Sequence, residues 1–292
     1  MADVYFSLLL LNPLSLLHFI VRPRSVRVPI KNRHVFITGG SGGIGLALAH
    51  LCAREGANVT IAQLEEAKQS IKLATGREVS VFSADVRDYD AVERVIQEAA
   101  AIDVLVCNHG VFIAQELEGQ EMEEIKFMMD VNLMGSFHLI KAALPGMKKS
   151  RAERGPGSIA IMSSQAGQVG IYGFTAYSAN TETPGFVRES KRRPQLTRTI
   201  AASSGAMKAD EVAKKSLNGI QSGAFIIPCN LEGFLLSVAT AGLSPQRSYL
   251  MAFVEVITAG IIRLTALFFQ WNWYRSIEKQ LADKLMSVRK NT

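Results

Sequence analysis

Five glycines fall within Thr38-Gly39-Gly40-Ser41-Gly42-Gly43-Ile44-Gly45, directly after the apolar run HVFIT (34–38) and directly before the helical pattern IGLALAHLCARE. So many glycines let a backbone turn sharply and approach a bulky anion, and a helix opening there offers free amides to negative charge. A glycine cluster alone is weak. Its place between a strand and a helix, at the head of a βαβ series, favours a dinucleotide-binding turn over a structural bend. Gly39, Ser41, Gly42, Gly43, Ile44 and Gly45 are the residues of that turn.

Short β-rich runs then alternate with helical ones: NVTIA (58–62), VSVFS (79–83), DVLVCN (103–108) and SIAIMSS (158–164), with a long helical stretch through Lys148 before the last. Five strands with intervening helices predict an α/β, Rossmann-like doubly wound parallel sheet covered on both faces. Asp88 stands ahead of an apolar-periodic run and is an expected N-cap. Asp85, after the third strand, either reaches an adenine or serves as a turn residue. Asn108-His109-Gly110 ends the fourth strand at the sheet edge where such ligands bind.

At 292 residues the chain suits one large α/β domain with appendages. A mean hydropathy of +0.15 is high for a purely soluble enzyme, so part of the chain is expected to meet lipid. The net charge is +6. Its basic clusters (Arg22, Arg24, Arg27, Lys31 and Arg33; Arg188, Lys191, Arg192 and Arg193) come without aromatic interleaving, which sets nucleic acid aside. Cys52, Cys107 and Cys229 are too few and too scattered for a disulfide framework or a CxxC site, and suggest a reducing compartment. The histidines show no metal-binding spacing.

Residues 5–21 (YFSLLLLNPLSLLHFIV) are apolar for 17 positions and either span or embed in a bilayer. Without a preceding Lys or Arg or a cleavage site they read as an uncleaved anchor, and the basic run after them puts the rest of the chain on the cytosolic side. Phe225–Gly242 and Tyr249–Trp271 are also apolar. Glu255 and Arg263, each costing roughly 2.5 to 3.5 kcal/mol at a bilayer centre, favour an interfacial helix or a buried core helix over a simple span. The expected division is an anchor and basic linker (1–30), a Rossmann-type domain (31–222) and a membrane-associated C-terminal region (223–292).

Taken together, TGGSGGIG, the Asp85-Val86 pair, Asn108-His109-Gly110, Asn132 in VNLMGSF, and Ser164 ahead of Tyr177 resemble the short-chain dehydrogenases/reductases. More narrowly, RPRSV after the N-terminal apolar run, SSQAGQVGIYGFTAYSA, TPGF and the apolar C-terminus resemble the 3-ketodihydrosphingosine (3-dehydrosphinganine) reductases, particularly those of plants. The resemblance implies NADPH-dependent reduction of a long-chain lipid ketone, 3-ketosphinganine, at the cytosolic face of the endoplasmic reticulum membrane, and is compatible with a homo-oligomer. It assigns the catalytic roles to Tyr177, Ser164 and Asn132, and nucleotide contacts to the turn, Asp85, Asn108 and Tyr177. Alternatives are another membrane reductase of steroid or fatty acyl ketones, or a non-catalytic truncated or spliced form.

Two departures stand out. Family members read Tyr-x-x-x-Lys, whereas Tyr177 is followed by Ser178-Ala179-Asn180-Thr181, and Thr181 to Phe186 already resemble the family's loop after its sixth strand. A βαβ unit needs roughly 30 residues, so a helix, its lysine and a strand are expected to be missing at this junction. Second, Gln63-Leu64-Glu65-Glu66 follow the second strand where a basic residue would meet the 2′-phosphate of NADP(H). Glu65 or Glu66 can instead accept from a ribose hydroxyl, which would favour NAD.

Overall fold

The computed structural model describes residues 27–62, 65–168, 207–242, 244–246 and 248–291. The N-terminal apolar run, Gln63, Leu64, Tyr177 and the junction at Thr181 lie outside the described residues. Five strands, β1 (His34–Thr38), β2 (Asn58–Ala62), β3 (Ser80–Phe82), β4 (Val104–Cys107) and β5 (Ser158–Ile161), form one sheet in the order β3-β2-β1-β4-β5. Every pairing is parallel, with Phe36 opposite both Thr60 and Leu105. The expected parallel sheet is thus present, and β1 lies at its middle.

Alternation along the strands divides the apolar residues between two cores, because successive side chains point to opposite faces. Val35 and Ile37 of β1, Val59 and Ile61 of β2, and Val104 and Val106 of β4 face one side. There they meet α1 (Gly43–Arg54), Ala67 and Ile71 of α2 (Glu65–Thr75), and Ala213, Leu217 and Ile220 of α6 (Ala209–Ser222). Phe36, Leu105 and Cys107 face the other side, against Val92 of α3 (Tyr89–Glu98) and Leu139 and Ala143 of α5 (Gly135–Arg154). Two covered faces explain why β1 and β4 read as unbroken apolar runs. The Asp88 cap is present too, its carboxylate accepting from the Ala91 amide at 3.1 Å.

The helical stretch expected through Lys148 is not one helix. It comprises α4 (Met122–Met129), a π-helical turn over Asp130–Met134, and then α5, which runs on to Arg154 with Pro145 inside it. A π turn leaves backbone groups out of the regular ladder and often marks a functional site.

Beyond α6 come α7 (Leu231–Ala239), capped by Asn230 on the Gly233 amide at 2.7 Å, and α8 (Tyr249–Asn291). Tyr249–Lys279 is long and apolar enough to cross a membrane, with mean hydropathy 1.9 and none of its most apolar window buried. The alternative of a buried core helix therefore fails: Phe253, Val256, Ile261, Leu264 and Phe268 are all exposed.

At the edge opposite the glycine turn, Asp103 (4% exposed) accepts from the His34 amide at 2.8 Å, Arg33 at 3.0 Å and Arg154 at 2.8 Å. Burial by itself would raise this carboxyl, but the hydrogen bonds from Arg154, the His34 amide and Arg33 outweigh it and hold the group below the ordinary carboxylate range. The Val28 amide donates to the Gln221 carbonyl at 2.8 Å along the same edge, joining the segment before β1 to the end of α6.

Replacing Asp103 with Ala leaves two guanidinium groups and a buried amide without their shared acceptor, and should cost about 2–4 kcal/mol by chemical denaturation. Because the folded carboxyl titrates below its unfolded value near 4, its contribution is complete above that pH and disappears as pH falls through the folded-state value. Asp103→Asn should therefore flatten the acid limb of the stability profile.

Candidate active site

The carboxyl ends of β1 and β4 and the N-terminus of α1 meet at the glycine turn. Gly39 has φ +62°, and a side chain there would touch the Asn108 carbonyl at 3.0 Å. Gly45 is more confined still: a Cβ would lie 2.1 Å from the Gly39 carbonyl and 2.5 Å from the Asn108 amide nitrogen. That nitrogen donates to the Gly39 carbonyl at 3.1 Å. Asn108 thus fastens the end of β4 to the turn, and the absence of a side chain at Gly45 makes the closure sterically feasible.

Gly42 is the N-cap of α1 and carries no side-chain cap, while α1 has no acidic residue in its first turn. A Cβ at Gly42 would meet nothing within 4 Å. A helix N-terminus with no side-chain cap from Gly42, open space at that residue and a tightly closed backbone behind suit a pyrophosphate. Ser41, Gly43, with φ +52°, and Ile44 complete the turn and start the helix. The residues present fit a dinucleotide.

Under the turn, the buried Thr38 hydroxyl accepts from the amides of Asn108 at 3.0 Å and His109 at 3.2 Å, and lies 2.8 Å from His109 Nδ1. The other ring nitrogen, Nε2, is 3.1 Å from the Val131 carbonyl in the π turn. Burial lowers the His109 pKa below its ordinary value, with the Val131 carbonyl pulling weakly the other way. Asn132, from the same turn, bonds one backbone residue through both ends of its amide: Oδ1 accepts from the Val111 amide and Nδ2 donates to the Val111 carbonyl, both at 2.8 Å. The Asn132 carbonyl accepts from Ser136 Oγ at 3.0 Å.

Asp85 is turned toward its own loop. Its carboxylate takes Arg87 Nε at 3.0 Å on each oxygen, as well as the Arg87 amide at 3.0 Å. Those bonds from Arg87 hold its carboxyl below the ordinary range. Arg87 itself lies over the Phe127 ring at 5.1 Å. Ser164, three residues beyond β5, accepts from the Ala166 amide at 3.2 Å. The structure therefore brings together the glycine turn and Asn108, and holds Asn132 three residues further along the same segment at Val111. Asp85 and Ser164 are occupied within their own loops, and Tyr177 lies outside the described residues. Sequence reading assigned no task to Thr38 or His109. A hydroxyl at the last position of an otherwise apolar central strand was the available signal.

Residues 33–182 match the family model for short chain dehydrogenases. The chain belongs to the short-chain dehydrogenase family. Within it, the chain is 55% identical to the 3-dehydrosphinganine reductase TSC10B of Arabidopsis thaliana, across 94% of this chain and 93% of that one. It is 56% identical to TSC10A of the same plant over 89% and 90%, and 32% identical to the 3-dehydrosphinganine reductase of Danio rerio over 87% and 89%. Among solved structures, a short chain dehydrogenase/reductase from Burkholderia phymatum shares the fold with TM-score 0.60 at 19% identity, covering 75% of this chain and 98% of that one. The first two alignments run over 310 and 294 positions, although 94% and 89% of the 292 residues here amount to only about 274 and 260. Some 35 aligned positions thus fall opposite gaps in this chain, about the length of a helix and strand with their connections. The family match stops at residue 182, beside the expected junction.

Two substitutions separate the turn's architecture from its binding. Gly45→Ala forces backbone against backbone and should lower stability and abolish nucleotide binding together. Gly42→Ala has room and an extended backbone, so it should fold normally, yet lose most of the thermal stabilisation that added nucleotide gives, because a methyl group then occupies the anion's space. Equal shifts for wild type and Gly42→Ala in a thermal melt would count against this placement.

Proposed function

We propose that this chain carries the nucleotide-binding half of an NADP(H)-dependent reductase of 3-ketosphinganine, acting in sphingolipid synthesis. Its turnover is cut hard by loss of the segment that holds the family's lysine. The carrying observation is the end-to-end likeness to plant 3-dehydrosphinganine reductases, at 55% and 56% identity, together with a glycine turn whose geometry fits a dinucleotide.

Bound at the turn, the reduced nicotinamide supplies the hydride for the ketone carbon. The chain's own residues provide the proton and the positioning. In the family assignment Tyr177 gives its phenolic proton to the ketone oxygen, while Ser164 donates a hydrogen bond to that same oxygen. A phenol near pKa 10 releases its proton sluggishly at neutral pH, and a neighbouring ammonium group is what lowers that value. Thr181 has no charge to contribute. Asn132 is held in the π turn by its two bonds to Val111, which supports the positioning part of this reading.

NADP(H) follows the family's use, while Glu65 and Glu66 open α2 where the family's basic residue would stand. The substrate, an amphiphile with a long acyl tail, suits a chain whose Tyr249–Lys279 helix is long and apolar enough to cross a membrane. The reading places the catalytic body at the cytosolic face of the endoplasmic reticulum, with residues 1–30 and 223–292 as its membrane-associated flanks.

The test is NADPH oxidation with 3-ketosphinganine in membranes containing this chain, beside a version with a lysine-bearing helix and strand restored after Ala179. The restored chain should turn over about 10²- to 10⁴-fold faster, the usual contribution of an acid-base group. Equal rates would refute the claimed damage, and inactivity of both would refute the substrate. Greater thermal stabilisation by NADPH than by NADH checks the cofactor.

A further inference from the structure

His109 lies between the two halves of the site and is absorbed by neither. Its ring joins Thr38, at the base of the glycine turn, to Val131, in the π turn that carries Asn132. The hydrogens on this path can be placed from the acceptors alone. A carbonyl only accepts, so His109 Nε2 must carry the proton that goes to Val131. In a neutral ring Nδ1 is then bare, and the Thr38 hydroxyl donates to it at 2.8 Å. That leaves the lone pairs of the same hydroxyl for the amides of Asn108 and His109. One tautomer satisfies all of these contacts at once.

The packing around the ring is equally restrictive. At Gly135, the first residue of α5, a Cβ would sit 3.0 Å from His109 Nε2 and 2.8 Å from a Val86 methyl group. The imidazole therefore rests where the Asp85–Val86 loop, the π turn and the end of β4 converge.

We infer that His109 is a positioning residue, a neutral strut that sets the distance between the glycine turn and the Asn132 turn, so that nucleotide bound at the first is aligned with the second. The inference rests on the nucleotide reading above and extends it to a residue with no assigned role. Its consequence is a proton-sensitive link. A second ring proton would point at a hydroxyl that already accepts two amides, and Thr38 would have to turn toward the Val106 carbonyl at 3.3 Å. Burial holds the ring neutral down to below its ordinary value, so the link is whole at neutral pH and opens as pH falls. The charged and titratable groups on the elements packed around it include Asp85 with Arg87, Asp130 with Lys126, Cys107 at the end of β4, whose thiol burial pushes up to about 12, and on α5 Lys141 and His138, which donates to the Val86 carbonyl from Nδ1 at 2.9 Å.

The experiment uses the full chain in detergent micelles, with His109→Phe, His109→Gln and His138→Gln beside wild type. NADP⁺ affinity is measured from pH 8 to 5.5, and amide exchange without nucleotide is followed over residues 108–111 and 131–135. The 2′-phosphate titrates in the same range. Its contribution is common to all four proteins and cancels in the comparison. Phenylalanine loses both bonds and should weaken binding about tenfold at pH 8, with faster exchange in both segments. Glutamine keeps a donor and an acceptor without titrating, so it should bind near wild type at pH 8 and lack the additional weakening that wild type and His138→Gln show toward pH 5.5. Wild-type behaviour of His109→Phe, the same acid weakening in His109→Gln, or its loss in His138→Gln would each overturn the inference. If wild type binds no NADP⁺ at any pH, the nucleotide reading fails separately, and exchange in the two segments still decides whether His109 is the strut.

Discussion

The Thr38 hydroxyl ends the central strand, is shielded from solvent, and accepts two amides from the end of β4 while facing the ring of His109. Parallel strands leave their carboxyl ends free of one another, because ladder bonds stop where the chains diverge into loops. Here a side-chain oxygen continues the ladder for one further step. That step sets the height of Asn108, which closes the glycine turn, and so fixes where the N-terminus of α1 points. A valine of similar shape at position 38 would pack as well but leave two amides without an acceptor, at a cost of about 1–3 kcal/mol for each one buried.

Much of the body was legible in the sequence. β1 and β2 fall on the expected residues, His34–Thr38 and Asn58–Ala62, because both are apolar runs bounded by turn residues. The Asp88 cap was legible from a single side chain. The interruption at Asp130–Met134 was not, since a π turn differs from its neighbours by one residue of register and VNLMGSF carries no breaker at its start. Nor was the fate of Asp85: whether a carboxylate faces a ligand or the arginine two residues on depends on loop geometry that spacing does not encode. For α8, Glu255 and Arg263 argued against a simple span on energetic grounds, and the choice left open between an interfacial and a core helix is decided against the core, because the helix runs unburied past both residues.

The glycine turn, Asn108 and the Asn132 turn are built from β1, β4 and the helices that cover them, all encoded before residue 168 and so ahead of the junction expected after Tyr177. On the proposed function, binding and proton transfer are separable along the chain: the first draws on early strands near the centre of the sheet, the second on a segment that follows β5.

The hydrogen bond from Val28 to Gln221 puts the entry and exit of the folded body side by side, at the sheet edge remote from the glycine turn. A pull between its two flanks loads this one backbone contact and the Arg33–Asp103–Arg154 cluster near it. The glycine turn lies at the opposite, carboxyl ends of the same strands, so a load applied at this contact enters the sheet at the end remote from it.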